Sequence, residues 1–372
     1  MSSYKSFAIT VTGGSHSKQG KVCQDASYKI DNDSLAIAVV ADGHGDDNYF
    51  RSDKGAKLAV ACAVKGIVDF ITIHEPKFNS GIFRKKDAPT KDEFEKLIRE
   101  LVKHIIASWQ IKVEEDYIAN PFTKDELDAT DEKHRKRYEN GKELNKVYGT
   151  TLLATAITDE YWFGIHIGDG KLTALYADGS YEQPIPWDEK CYLNVTTSIC
   201  DDDAIDKARI YFSFNNEKKP PVVTFICTDG IDDNYPVDGN EKHLFKIYRT
   251  IALTFAKEGF DSTYNQLIEL ATAFATKGKG DDTSIGGFIN IGNLKKVEHI
   301  WQQQIDDEEK VEKKKVEKEV KKTSNEAEHE KDNNLTPTQR AIEAITQYEK
   351  NNGISKYDVT LYGDFTAGKQ NK

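Results

Sequence analysis

Apolar residues along the first 300 positions fall into two alternating rhythms. Short unbroken runs read as buried strands: "SFAITVT" (6–12), "SLAIAVVAD" (34–42), "GTTLLATAIT" (149–158), "YWFGIHIGD" (161–169), "KLTALYAD" (171–178), "ARIYFSF" (208–214), "PVVTFICTD" (221–229) and "DTSIGGFINI" (282–291). "ASYKI" (26–30) adds a strand after the loop "GGSHSKQGKVCQD". Between them the spacing turns helical. From Ser52, residues Ala56, Val60, Ala63, Ile67 and Phe70 share one face. Thr90 reads as the cap of a second helix, with acids in its first turn and a stripe of Phe94, Leu97, Leu101, Ile105 and Trp109. Two more amphipathic helices span about 241–258 and 262–277, with Gly259 and Gly278 where C-terminal caps belong. This alternation predicts an α+β fold of two sheets with helices packed outside them.

Three segments break the pattern. Residues 119–146 are charged and apolar-poor, and read as a solvated, partly helical insertion. From 296 to 335, with "DDEEKVEKKKVEKEVKK" at its centre, the chain reads as a charged linker, helical or disordered. Residues 336–372 open with a short amphipathic helix, capped by Thr336 and ended by Gly353. The reading is one domain over 1–295, a linker and a terminal tail that is a candidate partner-binding segment.

A net charge of -11 argues against a general nucleic-acid binder. No apolar run approaches the roughly 18 residues of a membrane span, and "MSSYKSFAIT" lacks a secretory pattern. The five cysteines are odd in number and form no C-x-x-C pair, which points to reduced thiols in a cytoplasmic protein.

The candidate chemistry lies where strands end. The run 34–42 delivers Asp42-Gly43-His44-Gly45, and 221–229 delivers Asp229-Gly230 with Asp232 and Asp233 beyond. The run 161–169 ends at Asp169, and Asp281 and Asp282 stand where the last strand begins. One such Asp is a turn. Four, if the sheets bring them together, would repel unless protons or divalent cations neutralised them. Oxygen-only ligation selects Mg²⁺ or Mn²⁺ over Zn²⁺.

In order and spacing, "VVADGHG", "YGTTLLATAI…IGDGKL", "FICTDGIDD" and "GDDTSIGGF" resemble the metal-dependent protein phosphatases of the 2C type. "GSHSKQGKVCQDAS" and "RSDKGAKLA" look most like a divergent, mainly bacterial branch of that family. The resemblance covers roughly residues 5–292. It implies a four-layer αββα sandwich, two mainly antiparallel sheets flanked by helices, with two core Mn²⁺ or Mg²⁺ ions. By motif it makes Asp42 the bridging ligand, Gly43 a carbonyl ligand, and Asp229 and Asp281 the remaining ligands. Asp25 would orient metal-bound water without itself touching a metal, and His44 would be the general acid. Asp169 and Asp233, with Asp229, would hold a weaker third ion.

The sequence departs from the family where an arginine should grip phosphate: that position is Gly20, and Gln24 replaces an acid. His16 is the favoured substitute clamp, ahead of Lys18, Lys21 and Arg51. Register with Thr283-Ser284 favours Asp281 over Asp282 as ligand. The reading is a serine/threonine protein phosphatase using metal-activated water, with a phosphoprotein substrate and an opposing kinase. Its rivals are a metal-binding pseudophosphatase acting as a scaffold and a hydrolase of small phosphate esters.

Overall fold

A computed structural model describes residues 4–79, 89–188, 191, 195–236 and 239–327. The segment 336–372, read above as helix and tail, lies outside the described residues. The chain divides into two compact units, 1–301 and 302–372. In the first, Trp301 is fully buried, so the packed unit runs a few residues beyond 295. The charged stretch that follows is helical as far as the described residues reach, within one helix Ile291–Ala327.

The first unit is built on strands β1 (Lys5–Val11), β2 (Ala26–Asp31), β3 (Leu35–Ala41), β4 (Leu152–Thr158), β5 (Tyr161–Ile167), β6 (Lys171–Leu175), β7 (Tyr181–Glu182), β8 (Arg209–Phe214), β9 (Val223–Cys227) and β10 (Thr283–Ile289). They form two five-stranded sheets, in the orders β1-β10-β9-β6-β7 and β2-β3-β4-β5-β8, whose paired strands run antiparallel. The alternation within β3 explains the layering. Ala36, Ala38 and Val40 pack with Leu153, Trp162, Leu172, Ile226 and Phe288 in the core between the sheets. Ile37, Val39 and Ala41 pack on the other face with Ala59, Ala63, Ile67, Leu101, Ile105 and Trp109 from helices Ser52–Asn79 and Lys91–Ala119. Both faces of the strand are covered, so it reads as a continuous apolar run and not an alternating one. On the opposite side Phe7 and Phe225 meet Phe255 and Tyr248 of helix Asn240–Glu258. The expected αββα order is observed.

Local signals produce their elements. Thr90 and Glu93 form a reciprocal capping box at the second helix. Gly259 and Gly278 cap helices Asn240–Glu258 and Phe260–Lys277. The loop after β1 differs from its reading, since Gly14–Gln19 is a short helix ended by Gly20 at φ 68°. No described helix is long and apolar enough to cross a membrane.

The charged insertion folds into short helices Lys124–Asp128, Glu132–Tyr138 and Leu144–Val147, and one buried arginine pins it. The Arg51 guanidinium donates to both Glu126 carboxylate oxygens at 2.8 and 2.9 Å, to the Asn120 carbonyl and to Tyr148 Oη, and stacks over Phe122. Its side chain is 4% exposed and that of Glu126 28%. Breaking a buried pair costs about 3–5 kcal/mol; with Glu126 partly solvated, Arg51→Ala is expected to lower unfolding stability by about 2–4 kcal/mol. Urea titration checks this, and a loss below about 0.5 kcal/mol, the ordinary surface range, would make Arg51 dispensable to the insertion.

Candidate active site

Strand register gathers the chemistry at one end of the sandwich. In the second sheet Ala26 pairs with Ala41, Val40 with Leu153 and Leu152 with Ile167. Asp25, Asp42, Thr150-Thr151 and Gly168-Asp169 therefore leave their strands together. In the first sheet Lys171 and Ile285 both pair with Cys227, and Val11 pairs with Thr283. That aligns Asp169, Asp229, Asp281 and the loop carrying His16.

The turn after β3 is held by the start of β4. Asp42 N–H donates to Thr151 Oγ1 at 3.0 Å, while Thr151 N–H and Thr150 Oγ1 both donate to the Asp42 carbonyl at 2.8 Å. His44 N–H donates to the Gly149 carbonyl. Gly43 has no room for a side chain, because a Cβ would lie 2.6 Å from the Gln24 carbonyl and 2.7 Å from that of Ser52. Thr150 and Thr151 fix the direction in which Asp42 leaves the sheet, a role the motif alone did not disclose.

Asp42 and Asp229, from different sheets, come within side-chain hydrogen-bonding reach of each other. Burial raises both well above the carboxylate range, with the Asp229 charge adding to the rise at Asp42 and the Asp169 charge to that at Asp229. Asp25 is buried behind them and pushed up to about 7, first by burial and also by Asp282 and Asp281, against the stabilising Thr228 bond. Thr228 Oγ1 donates to its Oδ2 at 2.8 Å, and its Oδ1 has no hydrogen-bond partner. Asp169 and Asp281 are also raised, burial being the main cause in each.

Such carboxyls must take up protons or cations. Their oxygen-only donors and the unpartnered Asp25 Oδ1 fit hard divalent ions. Among the described residues, no three His, Cys, Asp or Glu groups stand together as a metal-binding set.

Asp281 and Asp282 differ in what they touch. Asp282 is buried and fully engaged: Gly13 N–H and Gln24 N–H donate to it at 2.6 Å each, and His16 Nδ1 lies 3.0 Å from its Oδ2. It ties both ends of the 13–24 loop to the start of β10. Asp281 is open to solvent on one side, accepts the Asp282 N–H and lies near enough to His16 to be influenced by it. His16 thus stands beside Asp281. Asp233 is exposed and paired with Lys279 at 2.8 Å.

His44 is largely enclosed, edge-on to Tyr49, and its Nε2 lies 2.8 Å from Ser198 Oγ. Burial lowers its pKa to about 4. Ser198 also donates to the Thr150 carbonyl, so the segment after residue 195 touches the turn directly. Gly20 carries no side chain at the arginine position, and its positive φ would strain one. Arg51 is committed to the insertion, and Lys18 and Lys21 are exposed.

A family profile described as protein phosphatase 2C matches residues 12–269. No curated protein matches the chain. Similar solved structures include the serine/threonine phosphatase Stp1 from Staphylococcus aureus, 14% identical over 76% of this chain and 94% of that one, TM-score 0.43. Another is PppA, a key regulatory component of T6SS in Pseudomonas aeruginosa, 16% identical over 77% and 98%, TM-score 0.45. A third is the catalytic domain of the serine threonine protein phosphatase PstP in complex with two manganese ions, 13% identical over 77% and 98%, TM-score 0.40.

Proposed function

The chain belongs to the protein phosphatase 2C family, and on that premise we propose that it hydrolyses phosphoserine and phosphothreonine in protein substrates with two Mn²⁺ or Mg²⁺ ions. The observation that carries this reading is the meeting of the Asp42 and Asp229 carboxyls from separate sheets. Two buried like charges at that separation cost stability unless a ligand uses them. Asp42, Asp229, Asp281 and the Gly43 carbonyl would hold the ions. Bound there, the ions supply a nucleophilic hydroxide near neutral pH and charge for the phosphoryl oxygens.

The rest is work for the chain. Asp25, with Oδ2 fixed by Thr228 and Oδ1 free, orients water. His44, on the same turn as Asp42, hands a proton to the departing serine or threonine oxygen once the negative charge of a bound phosphate raises its lowered pKa, and Ser198 orients its ring. His16, held through Nδ1 by Asp282, offers Nε2 to a phosphoryl oxygen in place of the arginine. Such a substrate requires an opposing serine/threonine kinase, and five free cysteines suit a reducing, cytoplasmic setting.

The test is turnover of a phosphothreonine peptide. Activity should need Mn²⁺ or Mg²⁺ and vanish with a chelator; full activity in metal-free buffer would sink the reading. In the same assay His16→Ala should raise KM or lower kcat/KM with Mn²⁺ affinity unchanged, and unaltered kinetics would remove His16 from the phosphate site. One observation favours a second reading, a metal-binding pseudophosphatase: Gly20 leaves the arginine position without a side chain, and Arg51 is committed to Glu126. Mn²⁺ binding without turnover of any phosphopeptide would select it.

A further inference from the structure

We infer that the ammonium groups of Lys171 and Lys279 take the place of a third divalent cation at the outer edge of this site, so that the protein holds two ions. The inference rests on the two-ion reading above. The outer acids are Asp169, Asp232 and Asp233. Lys171 begins β6, two residues after Asp169. Its Nζ donates to the Asp169 carbonyl at 2.8 Å and lies 3.1 Å from Asp232 Oδ2. The two side chains are 10% and 8% exposed, so this is a buried pair and not a surface one.

The Lys171 ammonium also sits 3.7 Å from the ring centroid of Trp187, which covers it from the side of the segment after β7. Asp232 Oδ1 has no other partner, so Lys171 is the group that neutralises Asp232. Lys279 completes the arrangement from the loop before β10. It pairs with Asp233 at 2.8 Å and is close enough to feel Asp229 and Asp232.

Charge balance then decides against a third ion. Three carboxylates and two ammonium groups leave about one negative charge. A divalent cation entering there would meet two fixed positive charges already at the carboxylates. To share Asp169 and Asp233 it would have to part Lys279 from Asp233 and stand against the Lys171 ammonium, which is fixed in place by the Asp169 carbonyl and Asp232. The Lys279 pair is exposed and would be displaced more easily, which makes Lys171 the deciding residue.

The experiment counts Mn²⁺ bound to the full chain by equilibrium dialysis with electron paramagnetic resonance of the free ion. Wild type should bind two ions, Asp233→Asn should still bind two, and Lys171→Arg should bind two. Lys171→Met should bind three. Three ions on wild type, falling to two in Asp233→Asn, would overturn the inference while leaving the two-ion reading intact. An unchanged count of two in folded Lys171→Met would also overturn it. Should Lys171→Met fail to fold, the wild-type and Asp233→Asn counts decide by themselves. No bound ion on any form would remove the metal reading itself, and this inference with it.

Discussion

Asp229→Asn is expected to cut Mn²⁺-dependent turnover of a phosphothreonine peptide by more than about 10²-fold. Replacing a group that merely supports a metal ligand costs about 10–100-fold, and a residue proposed as ligand should cost more. A neutral amide is a poorer donor to a hard cation and removes a charge that the ions need. The same change should stabilise the metal-free protein. Asp229 has its pKa raised by burial and by the neighbouring Asp169 charge, so its ionised form works against folding near neutral pH, and the amide relieves that repulsion. The two effects have opposite signs, which a simple folding defect cannot imitate. Steady-state kinetics and thermal melts with chelator and with Mn²⁺ check both. A variant that keeps full activity, or that melts lower than wild type in chelator, would refute the assignment of Asp229.

His44→Ala should cost about 10²–10⁴-fold on phosphoserine peptides, and far less on an activated nitrophenyl phosphate. The leaving serine oxygen needs a proton, whereas nitrophenolate departs without one. The surroundings of His44 sharpen the test. Its ring is held at Nε2 by Ser198 and packed edge-on to Tyr49, so the alternative role is to hold the segment after residue 195 against the turn. A structural role would lower both substrates equally. Parallel kinetics on the two esters separate them, and equal losses would strip His44 of the general-acid role. Ser198→Ala adds a control, since loss of the ring's orientation should weaken the same leaving-group dependence.

Much of the framework was legible from residue order. The runs that became β3, β4, β5 and β9 are apolar on both faces, and their ends carry Asp42, Asp169 and Asp229. The capping box at Thr90 and the glycine caps at 259 and 278 are local, set within one turn of chain. Periodicity reports which face of an element is covered, and motif order placed the acids at one end of the fold.

What escaped the sequence depends on partners far apart along the chain. Asp281 and Asp282 are adjacent and chemically identical, yet Asp282 is spent on Gly13, Gln24 and His16, more than 250 residues away in sequence. The loop "GGSHSKQG" became a short helix because Gly13 N–H donates to the Asp282 carboxylate and Ser15 N–H to the Gly280 carbonyl. Arg51, a candidate for phosphate, is drawn instead to Glu126 of the insertion. The Lys171–Asp232 pair forms only because strand pairing sets β6 beside β9. The sequence by itself determined the strands, the helices and which carboxylates end them, because those follow from local spacing and burial. Only the tertiary structure decided which of those carboxylates stay uncommitted, because strand register and loop docking choose the cation or N–H group each one meets.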